Sequence, residues 1–431
     1  MTMTDDTLIA ILPIGEFDGP RPRDGFDGIL RAVKALGPDL LIADPAADEA
    51  GARQFVKTLS DQAPDLLLIV PLRGQSARAI EAAAMTSPVP CLICPVQGGF
   101  ALPSSALAVG AQREANVPVE LLYAPPDLPD LVERLRLVVS AARAYTRVRR
   151  SRIGAVGDLF PNLVSCRYDP RVVRARLGVT IVPVPFDTVR QSMEAMAGQA
   201  ETIQQARQEV TRQYPVAAAD EEALDAGLRL HLALKQTALD QNLDGYATEC
   251  WSRFPKELGL NPCLGFVEDA YTLACEGDVM LCIALLMVRH LTGRGAYVGD
   301  LYDVDLAGNL TLIHCGAPAS LGADPGHTAL GYSQMARERG FETVTCRPRL
   351  EPGLVTVFRF YGSDCDRLHL AMGNLVECEQ SPTLTVKVKI AGDRWDFLAR
   401  CLGNHYVVVS GDIRQELSLL CRWLGITIIE T

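Results

Sequence analysis

The chain has 431 residues, long enough for two or three domains that each bury a core without disulfides. Its 41 basic and 52 acidic residues leave a net charge of −11, which argues against a nucleic-acid or anionic-membrane partner. No apolar run approaches the roughly 18 residues of a membrane span, and the acidic opening Met1-Thr-Met-Thr-Asp5-Asp6 does not resemble a signal peptide, so the expected location is the cytoplasm.

The first 150 residues alternate short apolar runs with helical segments. Leu8–Ile14, Leu40–Ala43, Leu66–Pro71, Cys91–Val96 and Val119–Tyr123 read as strands buried on both faces. Asp24–Leu36, Asp48–Gln62, Ser76–Met85 and Ser104–Ala115 read as the helices between them, and Leu128–Thr146 as a long closing helix. This alternation predicts a parallel sheet in a doubly wound, Rossmann-like layer. Cys91-Leu-Ile-Cys94 lies in a strand pattern, where residues three apart face opposite ways. With no second cysteine pair and no helix start, it is expected to be structural, like the other eleven cysteines.

A second alternation, expected to span residues 151–349, opens at Ile153-Gly154-Ala-Val-Gly157. It continues through Val179–Val184, the helices Glu201–Gln213 and Glu221–Gln241, and the strand Gly245–Cys250. Gly154 and Gly157 lack the spacing of a dinucleotide or P-loop turn, and Phe160-Pro161 interrupts where helix amides would be presented. From residue 350 to 431 the pattern becomes β-rich: Val355–Tyr361, Arg367–Val376 and Thr383–Ile390, with one late helix, Asp412–Leu424. The fold class expected is therefore α/β: two Rossmann-like doubly wound units, then a C-terminal antiparallel, barrel-like domain.

The residues with chemical promise sit where strands meet loops. Glu276 lies in Cys-Glu276-Gly277-Asp278, before the apolar helix Val279–Leu291, for which Asp278 is a suitable N-cap. Asp300 follows the strand Ala296–Val298, His314 ends Leu310–Ile313, and His405 opens Tyr406–Val409 after the tight turn Gly403-Asn404. Two carboxylates and two imidazoles suit a divalent ion such as Mn²⁺. Taken singly, each also fits a bland role: a loop acid, a turn aspartate, a hydrogen-bonded core histidine. His231, His290 and His369 read as structural, and His327 lies in a polar loop. Trp251 and Asn404 are candidates to contact a substrate, by packing and by an amide hydrogen bond.

The local frames of these residues, across Cys263 to Leu321 and again from Gly403 to Leu424, resemble the L-fucose/L-arabinose isomerase group of metal-dependent aldose–ketose isomerases. The resemblance implies metal ligands at Glu276, Asp300 and His405, with His314 as an additional ligand, and catalytic roles for Glu276 and Asp300. It implies Mn²⁺ as cofactor, a free sugar as substrate, and a homo-oligomer, a trimer or hexamer. Two alternatives stay open: a catalytically silent sugar-binding homologue, and an epimerase or cyclic-polyol isomerase built on the same site.

Overall fold

The computed structural model describes residues 7–125, 129–216, 221–322 and 324–431. The acidic start at Asp5 and Asp6 and the expected helix start at Leu128 lie outside them. Two compact units emerge. The first holds the chain up to Arg147 together with His290–Gly293 and Gln415–Leu424; the second holds the rest.

In the first unit, β1 (Leu8–Ile14), β2 (Asp39–Ile42), β3 (Leu66–Pro71), β4 (Cys91–Ile93) and β5 (Val119–Leu121) form one parallel sheet in the order β2-β1-β3-β4-β5. Successive strand residues divide between two apolar clusters. Ile9, Ile11, Leu66, Leu68 and Val70 belong to one, and Ala10, Leu12, Leu67 and Ile69 to the other. The period-two backbone thus buries both faces under helices, which is why these strands read as continuous apolar runs. Cys91 and Cys94 fall in opposite clusters, and burial pushes both thiols up to about 12. They are inert core residues, as their strand setting predicts.

The second unit begins with another parallel sheet, β7-β6-β8-β9, from β6 (Arg152–Val156), β7 (Thr180–Pro183), β8 (Gly245–Thr248) and β9 (Thr272–Ala274). Gly154 and Gly157 serve packing here. A Cβ on Gly154 would lie 2.8 Å from the Tyr246 ring, and one on Gly157 2.6 Å from Glu249.

Downstream comes an antiparallel barrel. Its strands are β10 (Tyr297–Val304), β11 (Asn309–His314), β14 (Gly353–Tyr361), β15 (Arg367–Glu379), β16 (Leu384–Ile390) and β17 (His405–Ser410). The order β14-β17-β10-β11-β16-β15 closes because β14 also pairs β15 along its whole length. A short ribbon of β12 (Thr328–Tyr332) and β13 (Val344–Pro348) stands apart from it, and β18 (Thr427–Glu430) adds in parallel to β15. Tyr297, Leu310, Leu312, Val357, Val386, Tyr406 and Val408 fill the interior.

Two boundaries differ from the sequence reading. The barrel takes β10 and β11 from before residue 350, so Asp300 and His314 stand on barrel strands rather than in the second parallel layer. A strand pair split from its partners by some 40 residues of loop and ribbon has no contiguous β-rich signature. The late helix Arg414–Leu424, expected to close the β-rich domain, instead groups from Gln415 onward with the first unit. Its amphipathic face sends Leu419 into the first unit's core beside Leu135 and Val139.

Candidate metal and active site

The site residues all belong to the second unit. The barrel register sets the first pair. Asp300 in β10 lies directly opposite His405 in β17, so both side chains leave the same face of the sheet. The interior residues Tyr297 and Tyr406 alternate with them, which places Asp300 and His405 on the outside of the barrel wall.

Glu276 arrives from a different element, the turn between β9 and the helix Val279–Thr292. That turn is unusual: Glu276 has φ +60° and Gly277 φ +73°, two successive left-handed residues. A non-glycine residue there costs about 1–2 kcal/mol. Such conformations persist where surrounding structure over-determines them. Here the Glu276 carbonyl accepts from Phe160 N at 2.9 Å, its N–H donates to Cys250 Sγ at 3.3 Å, and Gly277 N donates to Thr248 O at 2.9 Å. Gly277 is obligatory, since a Cβ would lie 2.3 Å from Asp158 O.

The three groups converge. His405 Nε2 lies 3.8 Å from Glu276 Oε2 and 3.5 Å from Asp300 Oδ1, and one ligand atom from each residue falls within 4.8 Å of the others. His405 is fully buried, and among the described residues its Nε2 has no hydrogen-bond partner. Its other nitrogen, Nδ1, pairs with Asp278 Oδ2 at 3.0 Å. Asp278 Oδ1 accepts from Leu281 N at 2.9 Å and so caps the helix as expected. One carboxylate therefore both starts the helix and orients the histidine.

Arg359 backs this pair from β14. Its guanidinium is buried, donates to His405 O at 2.7 Å and Cys166 Sγ at 3.0 Å, and lies 4.0 Å from Asp278 Oδ2. Burial works against the Asp278 charge, but His405 and Arg359 outweigh it and hold the carboxyl below its usual range. Burial likewise opposes protonation of His405, yet the hydrogen bond to Asp278 and the nearby Asp300 prevail, raising its pKa to about 10. Glu276 moves the other way to Asp278: desolvation, only partly countered by His405, raises its affinity for a proton.

The other expected residues fall as follows. Asn404 donates its amide to Asp300 Oδ1 at 2.5 Å and so positions that carboxylate. Trp251 is half-buried under the Arg339 guanidinium, whose Cζ lies 3.5 Å from the ring centroid. His314 is buried and donates from Nδ1 to Gly316 O at 3.0 Å, with desolvation favouring its neutral form. It is not brought into the three-residue cluster. Ile313, not His314, is the residue opposite Asp300, and alternation puts His314 on the side of Leu310 and Leu312. His231 bridges Tyr271 and Glu268, and His369 bridges Tyr406 and Thr431, both as structural residues.

Sequence reasoning named Asp278 only as a cap and missed Arg359, Cys166 and Arg339. For Arg359 a signal existed, a lone cation inside Val-Phe-Arg359-Phe in an otherwise apolar strand.

No family model matches the chain. It is similar to the sulfoquinovose isomerases of Priestia aryabhattai and Priestia megaterium, 28% identical over 330 residues that cover 73% of this chain and 72% of each relative. It is also similar to the sulfoquinovose isomerase of Alkalicoccus urumqiensis, 23% identical over 394 residues, 85% of this chain and 86% of that one. These likenesses support an isomerase of the aldose–ketose type, with a different sugar in the relatives' name from the fucose or arabinose of the resembled group. Among the described residues no helix is long and apolar enough to cross a membrane.

Proposed function

We propose that the chain is a divalent-metal-dependent aldose–ketose isomerase acting on sulfoquinovose or a closely related sulfonated hexose. The relatives' name supports the substrate. One observation carries the site: His405 Nε2 is buried, unpartnered and aimed at two carboxylates, while Asp278 holds the opposite ring nitrogen. An imidazole fixed by a carboxylate at its far nitrogen is the usual form of a metal-bound histidine, and an ion at Nε2 would displace the proton that His405 otherwise carries there. The residues fit an ion held by Glu276, Asp300 and His405, and their mixed oxygen and nitrogen donors suit Mn²⁺.

Bound there, such an ion would polarise adjacent sugar oxygens and ease loss of a hydroxyl proton. The chain's own residues handle the carbon-bound proton. Glu276, whose burial raises its proton affinity, takes the proton from C2 of the aldose and returns it to C1, passing through an enediol. Asp300 has one oxygen tied to Asn404 and exchanges the hydroxyl proton with its other oxygen. The two acids come from a helix-entry turn and a barrel strand, so they flank the sugar from separate rigid supports.

Thirteen free cysteines suit a reducing, cytoplasmic setting. A homo-oligomer, trimer or hexamer, belongs to the same reading and is checked by light scattering at micromolar concentration, where a monomer would count against it.

The test strips the protein with EDTA, restores Mn²⁺, and follows sulfoquinovose beside a panel of pentoses and 6-deoxyhexoses by ¹³C NMR. Metal-dependent appearance of the corresponding ketose is expected. Binding without conversion would favour a silent homologue, and a product epimeric at one carbon would favour an epimerase.

A further inference from the structure

The short helix Gln334–Arg337 and the turn after it carry two arginines beside aromatic rings, and the two are treated differently. Arg337 lies 3.7 Å over the Tyr332 ring and is neutralised by Glu342 at 3.2 Å. Arg339 lies 3.5 Å over the Trp251 ring, and among the described residues its guanidinium has one hydrogen-bond partner, the Trp251 carbonyl, at 3.5 Å from Nη1. Among the described residues no carboxylate stands within ion-pair distance of it, although the chain carries 52 acidic side chains.

Its backbone is fixed. Arg339 N donates to Ala336 O at 3.0 Å, Gly340 N to Arg337 O at 3.0 Å, and Ser333 Oγ caps the helix by accepting from Ala336 N. The Trp251 platform is fixed as well, since its neighbour Cys250 accepts the Glu276 N–H at 3.3 Å. Trp251 and Arg339 are therefore anchored to the same turn that aims Glu276, and the Arg339 charge is close enough to act on the Glu276 carboxyl.

A guanidinium lying flat on an indole uses its face for the ring and leaves its in-plane N–H groups for another partner. A planar fork of donors matches a tetrahedral oxoanion and gives charge-assisted bonds to two of its oxygens. An exposed cation without an acid, stacked and pre-oriented at the edge of a catalytic turn, is a reader for an anionic group on the substrate. We propose that Arg339, seated on Trp251, binds the sulfonate of the sugar and sets selectivity for sulfonated over neutral hexoses. The assignment rests on the isomerase reading and deepens it.

The test compares Mn²⁺-reconstituted wild type with Arg339→Met and Arg339→Lys on sulfoquinovose and on quinovose, the same 6-deoxyhexose without the sulfonate. Arg339→Met, which keeps the apolar stem, should lower kcat/KM for sulfoquinovose on the order of 10²-fold, through KM, and lower it far less for quinovose. Arg339→Lys should recover part of the loss, because a point charge lacks the fork. An equal fall on both sugars, or none on either, would overturn the assignment. Calorimetric binding of sulfoquinovose to the same proteins separates this claim from the isomerase reading. If wild type turns over neither sugar yet Arg339→Met alone loses sulfoquinovose binding, the anion site stands and the isomerase reading falls. Wild type that does not bind sulfoquinovose, or that binds glucose 6-phosphate equally well, would overturn the sulfonate site.

Discussion

Asp278 serves two masters: Oδ1 accepts the Leu281 N–H of the helix it caps, and Oδ2, 3.0 Å from Nδ1, fixes the ring of His405. Because the same carboxylate starts the helix and steers the ligand, Glu276 two residues earlier and His405 more than a hundred residues later are locked into one frame.

Asp278→Asn keeps an oxygen for the cap but loses the charge that selects the His405 tautomer. Loss of such a carboxylate partner typically costs about 10–100-fold in metal affinity. Mn²⁺ titration by calorimetry should show a drop of that order, with the helical circular dichroism preserved. Unchanged affinity would mean His405 is not a ligand, or that its orientation does not depend on Asp278.

Gly277→Ala should be far more damaging than a surface glycine substitution, because the new Cβ would collide with Asp158 O and the residue would keep φ +73°. Gly340→Ala is the control: that glycine is also left-handed, at φ +86°, but faces open space. Thermal unfolding should show a clear loss for Gly277→Ala, accompanied by weaker stabilisation by Mn²⁺, and a smaller loss for Gly340→Ala. Equal losses would show that the close approach at Gly277 is not what holds the turn.

The acid stability limb should report His369, which lies inside the barrel wall, away from the proposed ligands in sequence. Burial, with a smaller contribution from Arg400, lowers its pKa from the ordinary 6.5 to about 4. The sign follows: the folded state holds it neutral while the unfolded state binds a proton below about 6.5. Its contribution is therefore complete above pH 6.5 and is lost as pH falls toward 4. In EDTA, the melting temperature of wild type should fall through this window, and His369→Gln should fall less steeply. Parallel pH profiles would assign the acid limb to other groups.

Much of this arrangement is legible in the sequence. The first sheet's strands stand out because both faces are buried, so each is a continuous apolar run between helical segments, and Leu8–Ile14 and Leu66–Pro71 match residue for residue. Glu276, Asp300 and His405 stand out because each ends or begins such a run, and they do converge. What could not be read is long-range pairing. Nothing local joins β10 to β17, so the opposition of Asp300 and His405 is a property of barrel closure. The same ignorance of register hid which face His314 takes. The Asn404–Asp300 bond was likewise invisible, because its partners stand 104 residues apart.

The two carboxylates should divide the proton work. Glu276→Gln and Asp300→Asn keep size and one oxygen donor but remove the base, a change that typically costs about 10²–10⁴-fold in rate. Each variant is expected to retain partial Mn²⁺ binding. Deuterium from solvent should appear at C1 of the ketose product in wild type, since a proton held on a carboxylate exchanges with water.

The most direct single measurement is turnover of sulfoquinovose by Mn²⁺-loaded Glu276→Gln relative to wild type, with the ketose followed by NMR at neutral pH. A metal-dependent wild-type conversion that falls by about 10²–10⁴-fold in Glu276→Gln is the predicted result. Near-normal conversion by Glu276→Gln would place the base elsewhere and contradict the site assignment.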